Sequence, residues 1–151
     1  MRPKAVASSA SEDLFRSRLS NIINLRHELA RLAGVIDWGM LEAAFGPLYA
    51  EVGRPGLPTR LMAGLHLLKH MFDLSDEAVC DRWVENPYYQ HFCGFEYFQH
   101  ELAIDRSSLT RWRERIGPAS MEKLLAASIT SGLTLCLHRF LDVSNGIEEI
   151  G

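Results

Sequence analysis

Two helical segments separated by three residues constrain this chain more than anything else in it. From Thr59 to Phe72, the residues Leu61, Leu65, Leu68 and Phe72 fall at i, i+4, i+7 and i+11 and share one face. Thr59, His66, Lys69, His70 and Asp73 fall on the other. Asp73-Leu74-Ser75 then makes a turn. Ser75 is suited to cap the next helix, and Asp76 and Glu77 occupy its first turn, where the helix dipole favours acids. That helix is predicted to run to about Glu85, with Val79, Cys80 and Trp83 as its buried stripe and Pro87 as its stop. Two helices joined by so short a turn have helix-turn-helix geometry.

The rest of the chain reads the same way. Ser9 and Glu12 have capping-box spacing ahead of Leu14, Phe15 and Leu19. Asn24 can cap a helix bearing Leu25, Leu29 and Leu32 that ends at Gly34, and Asp37 can cap another over Trp38 to Leu48. Residues 53–58, Gly-Arg-Pro-Gly-Leu-Pro, form a rigid turn, with Pro58 suited to the first position of the helix after it. Tyr88 to Phe98 holds six aromatics and reads as a connector. Asp105 to Ser108 opens a helix over Leu109 to Ile116, Gly117 closes it, and Pro118 starts the next. Strand signals are weak throughout. The expected fold is all-α: a multi-helix domain over residues 1–133 containing a helix-turn-helix-like unit, followed by an irregular, divergent tail over residues 134–151.

Charge becomes informative once it is located. The chain of 151 residues has a formal net charge of −3, which by itself gives no hint of nucleic acid. All 16 Lys and Arg lie within residues 1–139, balanced there by an equal number of acids. The whole −3 comes from Asp142, Glu148 and Glu149. The body is therefore neutral, and its function depends on where its charges sit. Three scattered cysteines (Cys80, Cys93, Cys136) form no CxxC pair, which fits reduced thiols in a cytoplasmic protein. Met1 to Ser11 has no apolar stretch, so no signal peptide is expected, and the uncharged run Leu124 to Leu137 is too short and polar to span a bilayer.

The strongest candidate for chemistry is the basic segment Arg106 to Arg115. Leu109, Trp112 and Ile116 share an inward face, while Arg111 and Arg115 lie opposite with Ser108 beside them. Like charges at i, i+4 repel in an isolated helix. A phosphate backbone turns that repulsion into attraction, because Arg bonds phosphates or guanine edges in a fork and Ser and Thr add short hydroxyl contacts. Small polar residues at the helix start with arginines beyond them suit a recognition helix. The alternative is a solvated face with Arg111 paired to Glu114. The acidic helix Asp76 to Glu85 is a poor phosphate neighbour and would support, leaving the basic helix to read. Arg54 and Arg60 flank the proline turn as backbone contacts, or are plain surface charge. The aromatics Tyr88, Tyr89, Phe92, Phe95, Tyr97 and Phe98 suit core packing, although such rings can also stack on bases. His66 and His70 stand at i, i+4 and His91 is near Cys93, but no third ligand is spaced to complete a metal site. No nucleophile elbow, Gly-rich phosphate loop or Walker motif occurs.

Several blocks resemble the N-terminal region of insertion-sequence transposases of the insertion-sequence-five type. They are residues 12–15 (Glu-Asp-Leu-Phe), 32–38 (Leu-Ala-Gly-Val-Ile-Asp-Trp), 53–62 (Gly-Arg-Pro-Gly-Leu-Pro-Thr-Arg-Leu-Met) and 74–77 (Leu-Ser-Asp-Glu). Residues 85–90 (Glu-Asn-Pro-Tyr-Tyr-Gln), 97–101 (Tyr-Phe-Gln-His-Glu) and 107–113 (Ser-Ser-Leu-Thr-Arg-Trp-Arg) continue the likeness. The resemblance implies a helical, helix-turn-helix-like domain that binds the terminal inverted repeats of a mobile element. In such proteins a ribonuclease-H-like domain follows, whose Asp-Asp-Glu triad holds two Mg²⁺ ions for cleavage and strand transfer. Here the likeness fades after Leu133, and Asp142 comes too early to be the first of that triad. The expectation is a truncated transposase that binds double-stranded DNA without cutting it, needs no cofactor of its own, and has neither catalytic nor metal-binding residues. The expected DNA contacts are Arg106, Ser107, Ser108, Thr110, Arg111 and Arg115, with Arg113 nearer the buried edge and Arg54 and Arg60 as secondary backbone contacts. A nucleoid-associated, cytoplasmic location follows. The rival reading is a self-association module that inhibits intact transposase, or a relic without function.

Overall fold

The structure, a computed structural model, describes the backbone of residues 16–49 and 58–148 and the side chains of residues 16–48 and 58–132. In chain order the helices are α1 (Leu19–Ile22), α2 (Glu28–Val35), α3 (Trp38–Tyr49), α4 (Thr59–Met71), α5 (Asp76–Glu85), α6 (Pro87–Phe92) and α7 (Ser107–Glu148). There is no strand among the described residues, so the all-α expectation holds. The helical backbone of α7 runs on to Glu148, into the segment that the sequence marks as a tail. At Gly117, with φ 77° and ψ 167°, α7 is broken into two segments. Backbone in that region is open essentially to glycine alone. The predicted stop at Gly117 and restart at Pro118 is thus seen as an abrupt change of direction.

Local chemistry sets most of the boundaries. The Met40 amide donates to Asp37 Oδ1 (2.9 Å), capping α3 as its sequence suggests. The Ala78 amide donates to Ser75 Oγ (3.1 Å), which begins α5 at Asp76. Asp73 closes the turn before it with φ 51°, a left-handed conformation that Asp tolerates better than most side chains. Pro58 serves as the N-cap of α4, one position before the one expected for it. Asn24 is displaced from its expected role. It caps a tight turn by accepting from the Arg26 amide (3.0 Å), and His27 Nδ1 caps α2 by accepting from the Leu29 amide (3.2 Å). The aromatic stretch is more ordered than a connector. Asn86 Oδ1 accepts from the Tyr88 and Tyr89 amides (2.9 and 3.4 Å) and Pro87 fills the first turn, so α6 forms where a loop is expected.

Helix α4 is the axis of the core. It packs against α3, α5 and α7, and Thr59, Leu61 to Leu65 and His66 to Leu68 are all buried. The expected polar face is therefore not solvated along most of its length: His66 and Thr59 point into the core, while Phe72 at the C-terminal end is 46% exposed. A helix enclosed on several sides has no water-facing stripe, whatever its sequence periodicity. The other core members named here arrive from five further helices: Leu29 and Leu32 from α2, Leu41 and Phe45 from α3, Trp83 from α5, Phe92 from α6, and Leu109 and Trp112 from α7. Helix α6 packs on α1, α2 and α5. The Leu19 amide donates to Glu96 O (2.7 Å) and ties the start of α1 to the segment after α6.

Candidate nucleic-acid interface

The first segment of α7, residues 107–116, is positioned by a cap and three apolar anchors. Asp105 Oδ1 accepts from the Ser107 amide (3.0 Å), which holds the Asp105 carboxyl below its usual range. Leu109, Trp112 and Ile116 are buried, as their spacing predicts. The Trp112 ring stacks on His66 (centroids 5.0 Å apart, 18° between planes) and meets the edge of Phe45 (6.0 Å). Burying that side presents Ser107, Arg111 and Arg115 to solvent. Arg111 Nη2 donates to Ser107 Oγ (3.0 Å) and Ser108 Oγ (3.4 Å) rather than pairing with Glu114. Its guanidinium is thus oriented by neutral hydroxyls.

Thr110 and Arg113 of the segment reach α5. Arg113 makes a fork on Asp76, with Nη1 to Oδ1 at 2.8 Å and Nη2 to Oδ2 at 2.9 Å. Lys69 Nζ donates to the same Oδ1 (2.7 Å), and Thr110 Oγ1 donates to Oδ2 (3.3 Å). The Arg113 guanidinium, and then Lys69, hold the Asp76 carboxyl far below the usual carboxylate range against the opposing effect of burial. The same pair raises Arg113. Arg106 Nη2 lies 2.6 Å from Asp81 Oδ1, and its Nη1 is 3.9 Å from Glu77 Oε2. The acidic helix has the supporting role its sequence suggests, and it also claims Arg106, Thr110 and Arg113 individually. The available signal was the opposite sign of two helices in a neutral body, which fixes no pairwise partners.

Arg60 is built into the fold. Its Nε donates to Phe92 O (3.3 Å), and its guanidinium carbon lies 4.6 Å from the centroid of Trp38. Burial lowers its pKa. Arg54 lies outside the described residues. The aromatic cluster is mostly structural: Tyr89 and Phe92 are buried, Phe95 meets Trp83 edge-on (5.1 Å), and Tyr88 packs on His27 (4.2 Å) while its hydroxyl accepts from the Asn24 amide (2.9 Å). His66 and His70 do not form a metal pair, since His66 is enclosed in the core with neither ring nitrogen hydrogen-bonded. No cluster of three or more His, Cys, Asp or Glu able to hold a metal ion occurs among the described residues. No described helix is long and apolar enough to cross a membrane.

Comparison with known proteins bears on these same elements. The chain is 60% identical over 133 residues to a Rhizobium meliloti protein described as "Uncharacterized protein ORF8 in nfe locus". That alignment covers 88% of this chain but 64% of the relative, so the chain spans somewhat less than two thirds of that protein's length. No solved structure matches the chain. The family described as "Transposase domain (DUF772)" matches residues 17–115, a span that runs from the start of α1 to the end of the basic segment of α7. The chain therefore belongs to the transposase domain (DUF772) family.

Proposed function

We propose that this helical domain binds double-stranded DNA, with the solvent face of residues 107–116 laid against it. The observation that carries the reading is Arg111: an exposed guanidinium held over Ser107 and Ser108 on the face opposite the buried Leu109, Trp112 and Ile116. Arg111 and the exposed Arg115 lie one helical turn apart, with Ser107 one turn before Arg111. Arg forks suit phosphate or guanine edges, and the serine hydroxyls add short contacts. Membership of a transposase family supplies the setting. The resemblance to insertion-sequence-five transposases makes the terminal inverted repeats of a mobile element the target. The residues described are given a binding role and no catalytic one, and association with the nucleoid follows from that role.

This reading differs from the sequence expectation in two ways. Arg60 is assigned to the fold, because its guanidinium is spent on Phe92 O and Trp38. Arg106 and Arg113 are not primary contacts, because carboxylates already occupy them. The test is the full chain titrated with a labelled duplex carrying the inverted repeat that flanks the gene, over a range of salt concentrations. Changing Arg111 and Arg115 together to Ala removes two phosphate-facing charges. The log–log salt slope should become shallower by about 1.8, with the thermal transition little changed. Absence of salt-sensitive binding by the unaltered chain overturns the proposal.

The self-association reading draws on exposed apolar side chains, notably Ile22 and Leu25 near α1 and Met40 and Leu48 on α3. Sedimentation of both chains separates the two: a dimer whose formation survives the double substitution, with no DNA binding by either chain, favours an interaction module.

A further inference from the structure

Helix α5 carries Asp76, Glu77, Asp81 and Glu85 against the single base Arg82. An acidic helix beside a DNA-facing segment opposes binding, since a carboxylate repels phosphate and competes with it for the same guanidinium. Its placement here is selective. Asp76 takes Arg113 in a fork, Asp81 and Glu77 take Arg106, and Arg111 between them is left on neutral hydroxyls. The two engaged arginines differ in setting. Asp76 is mostly sheltered and also holds Lys69 of α4 and Thr110, so it fixes the rotation of the basic segment relative to the α4–α5 pair. Glu77 and Asp81 are exposed, and among the described residues both form their ion pairs with Arg106.

We infer that α5 sets sequence discrimination: its carboxylates occupy Arg106 and Arg113 and so hold down binding to DNA of arbitrary sequence. This role rests on the DNA-binding reading above. Affinity for arbitrary DNA counts little beyond the phosphates neutralised. A protein in such a complex settles wherever most cations meet phosphates, so each extra unpaired arginine strengthens it. In a sequence-specific complex the register is fixed by base edges. An extra cation then helps only if a phosphate falls opposite it. Pairing off the flanking arginines therefore weakens arbitrary binding more than specific binding. Asp76 is in addition a positioning residue, because it fixes the orientation from which Arg111 is presented.

The experiment compares the full chain with the double variant Glu77→Gln and Asp81→Asn. Both residues are exposed, and surface pairs of this kind contribute little to stability. Two labelled duplexes are used, one carrying the flanking inverted repeat and one of the same length and base content in shuffled order. Freeing Arg106 should raise affinity for the shuffled duplex roughly tenfold in dilute salt and steepen its log–log salt slope by about 0.9. Affinity for the repeat should rise less, so the ratio between the two narrows. Glu85→Gln is the control. It removes a charge from the same helix, at a residue with no ion pair among the described residues, and should leave the ratio alone. Asp76→Asn should narrow the ratio further while lowering the melting temperature, with circular dichroism confirming that the helices persist. An unchanged ratio in the Glu77/Asp81 variant overturns the inference, as does an equal gain on both duplexes. Failure of the unaltered chain to bind either duplex is a different result: it overturns the DNA-binding reading and this role with it.

Discussion

His66 stands in the core with both ring nitrogens unpaired and its ring stacked on Trp112. Leaving a buried polar group unsatisfied costs about 1–3 kcal/mol. Burial, reinforced by Arg113 and nearby Lys69 and His70 against the opposing Asp76, lowers its pKa to about 3. The residue is therefore neutral at physiological pH, and the ring works as an aromatic plate under the basic segment. His66→Phe keeps the stack and removes the orphaned nitrogens. Urea denaturation at pH 7 should show it more stable by about 1–2 kcal/mol, and a destabilised variant would mean that the nitrogens have partners. The periodicity that put His66 on a polar face was real, but whether that face met water depended on α7 lying over it.

At the scale of the elements, the connector between α6 and α7 is secured by a side chain that no sequence pattern singles out. Gln90 is fully buried. Its Nε2 donates to Trp83 O (3.1 Å) and Gln99 O (2.8 Å), and its Oε1 accepts from the Gln99 amide (2.7 Å). It substitutes for the backbone pairing that this irregular stretch lacks. Gln90→Leu has nearly the same volume but strands three backbone groups. At about 1 kcal/mol or more for each, it should lower stability by about 3 kcal/mol, measurable as a lower urea midpoint. Helix starts set by one residue, such as Asp37 before α3 and Ser75 before α5, were legible because a cap acts within three residues. Helix α6 was not, because its aromatics read equally well as loop anchors, and the deciding Asn86-Pro87 pair looked like a terminator.

Across the whole molecule, acid should unfold the protein over two windows. The folded state refuses a proton at His66 until about pH 3, whereas the unfolded chain accepts one near 6.5. Stability is therefore lost as pH falls through that interval, by up to tenfold in the folding equilibrium per pH unit. Asp76 is depressed by Arg113 and Lys69. Its contribution is complete above the ordinary carboxylate range and disappears only as pH drops below it. His66→Phe should flatten the upper window and Asp76→Asn the lower one, as followed by thermal melts from pH 7 down to pH 1. A wild-type melting temperature constant between pH 6.5 and 4 would contradict the placement of His66.

The sequence by itself determined the all-α class, the α4–turn–α5 pair, the caps at Asp37 and Ser75, the break at Gly117 and the inward face of Leu109, Trp112 and Ile116. Each of these follows from interactions within about one helical turn, where residue identity and spacing are sufficient. Only the tertiary structure decided that α4 is enclosed, that Arg60 serves the Trp38–Phe92 contact, and that Asp76 and Asp81 take Arg113 and Arg106 while Arg111 is left to two serines. The Arg106–Asp81, Arg60–Phe92 and Arg113–Asp76 pairings join residues 25 to 37 positions apart. Charge and periodicity state what each helix offers, but the placement of α5 beside α7 selects which offers are taken up.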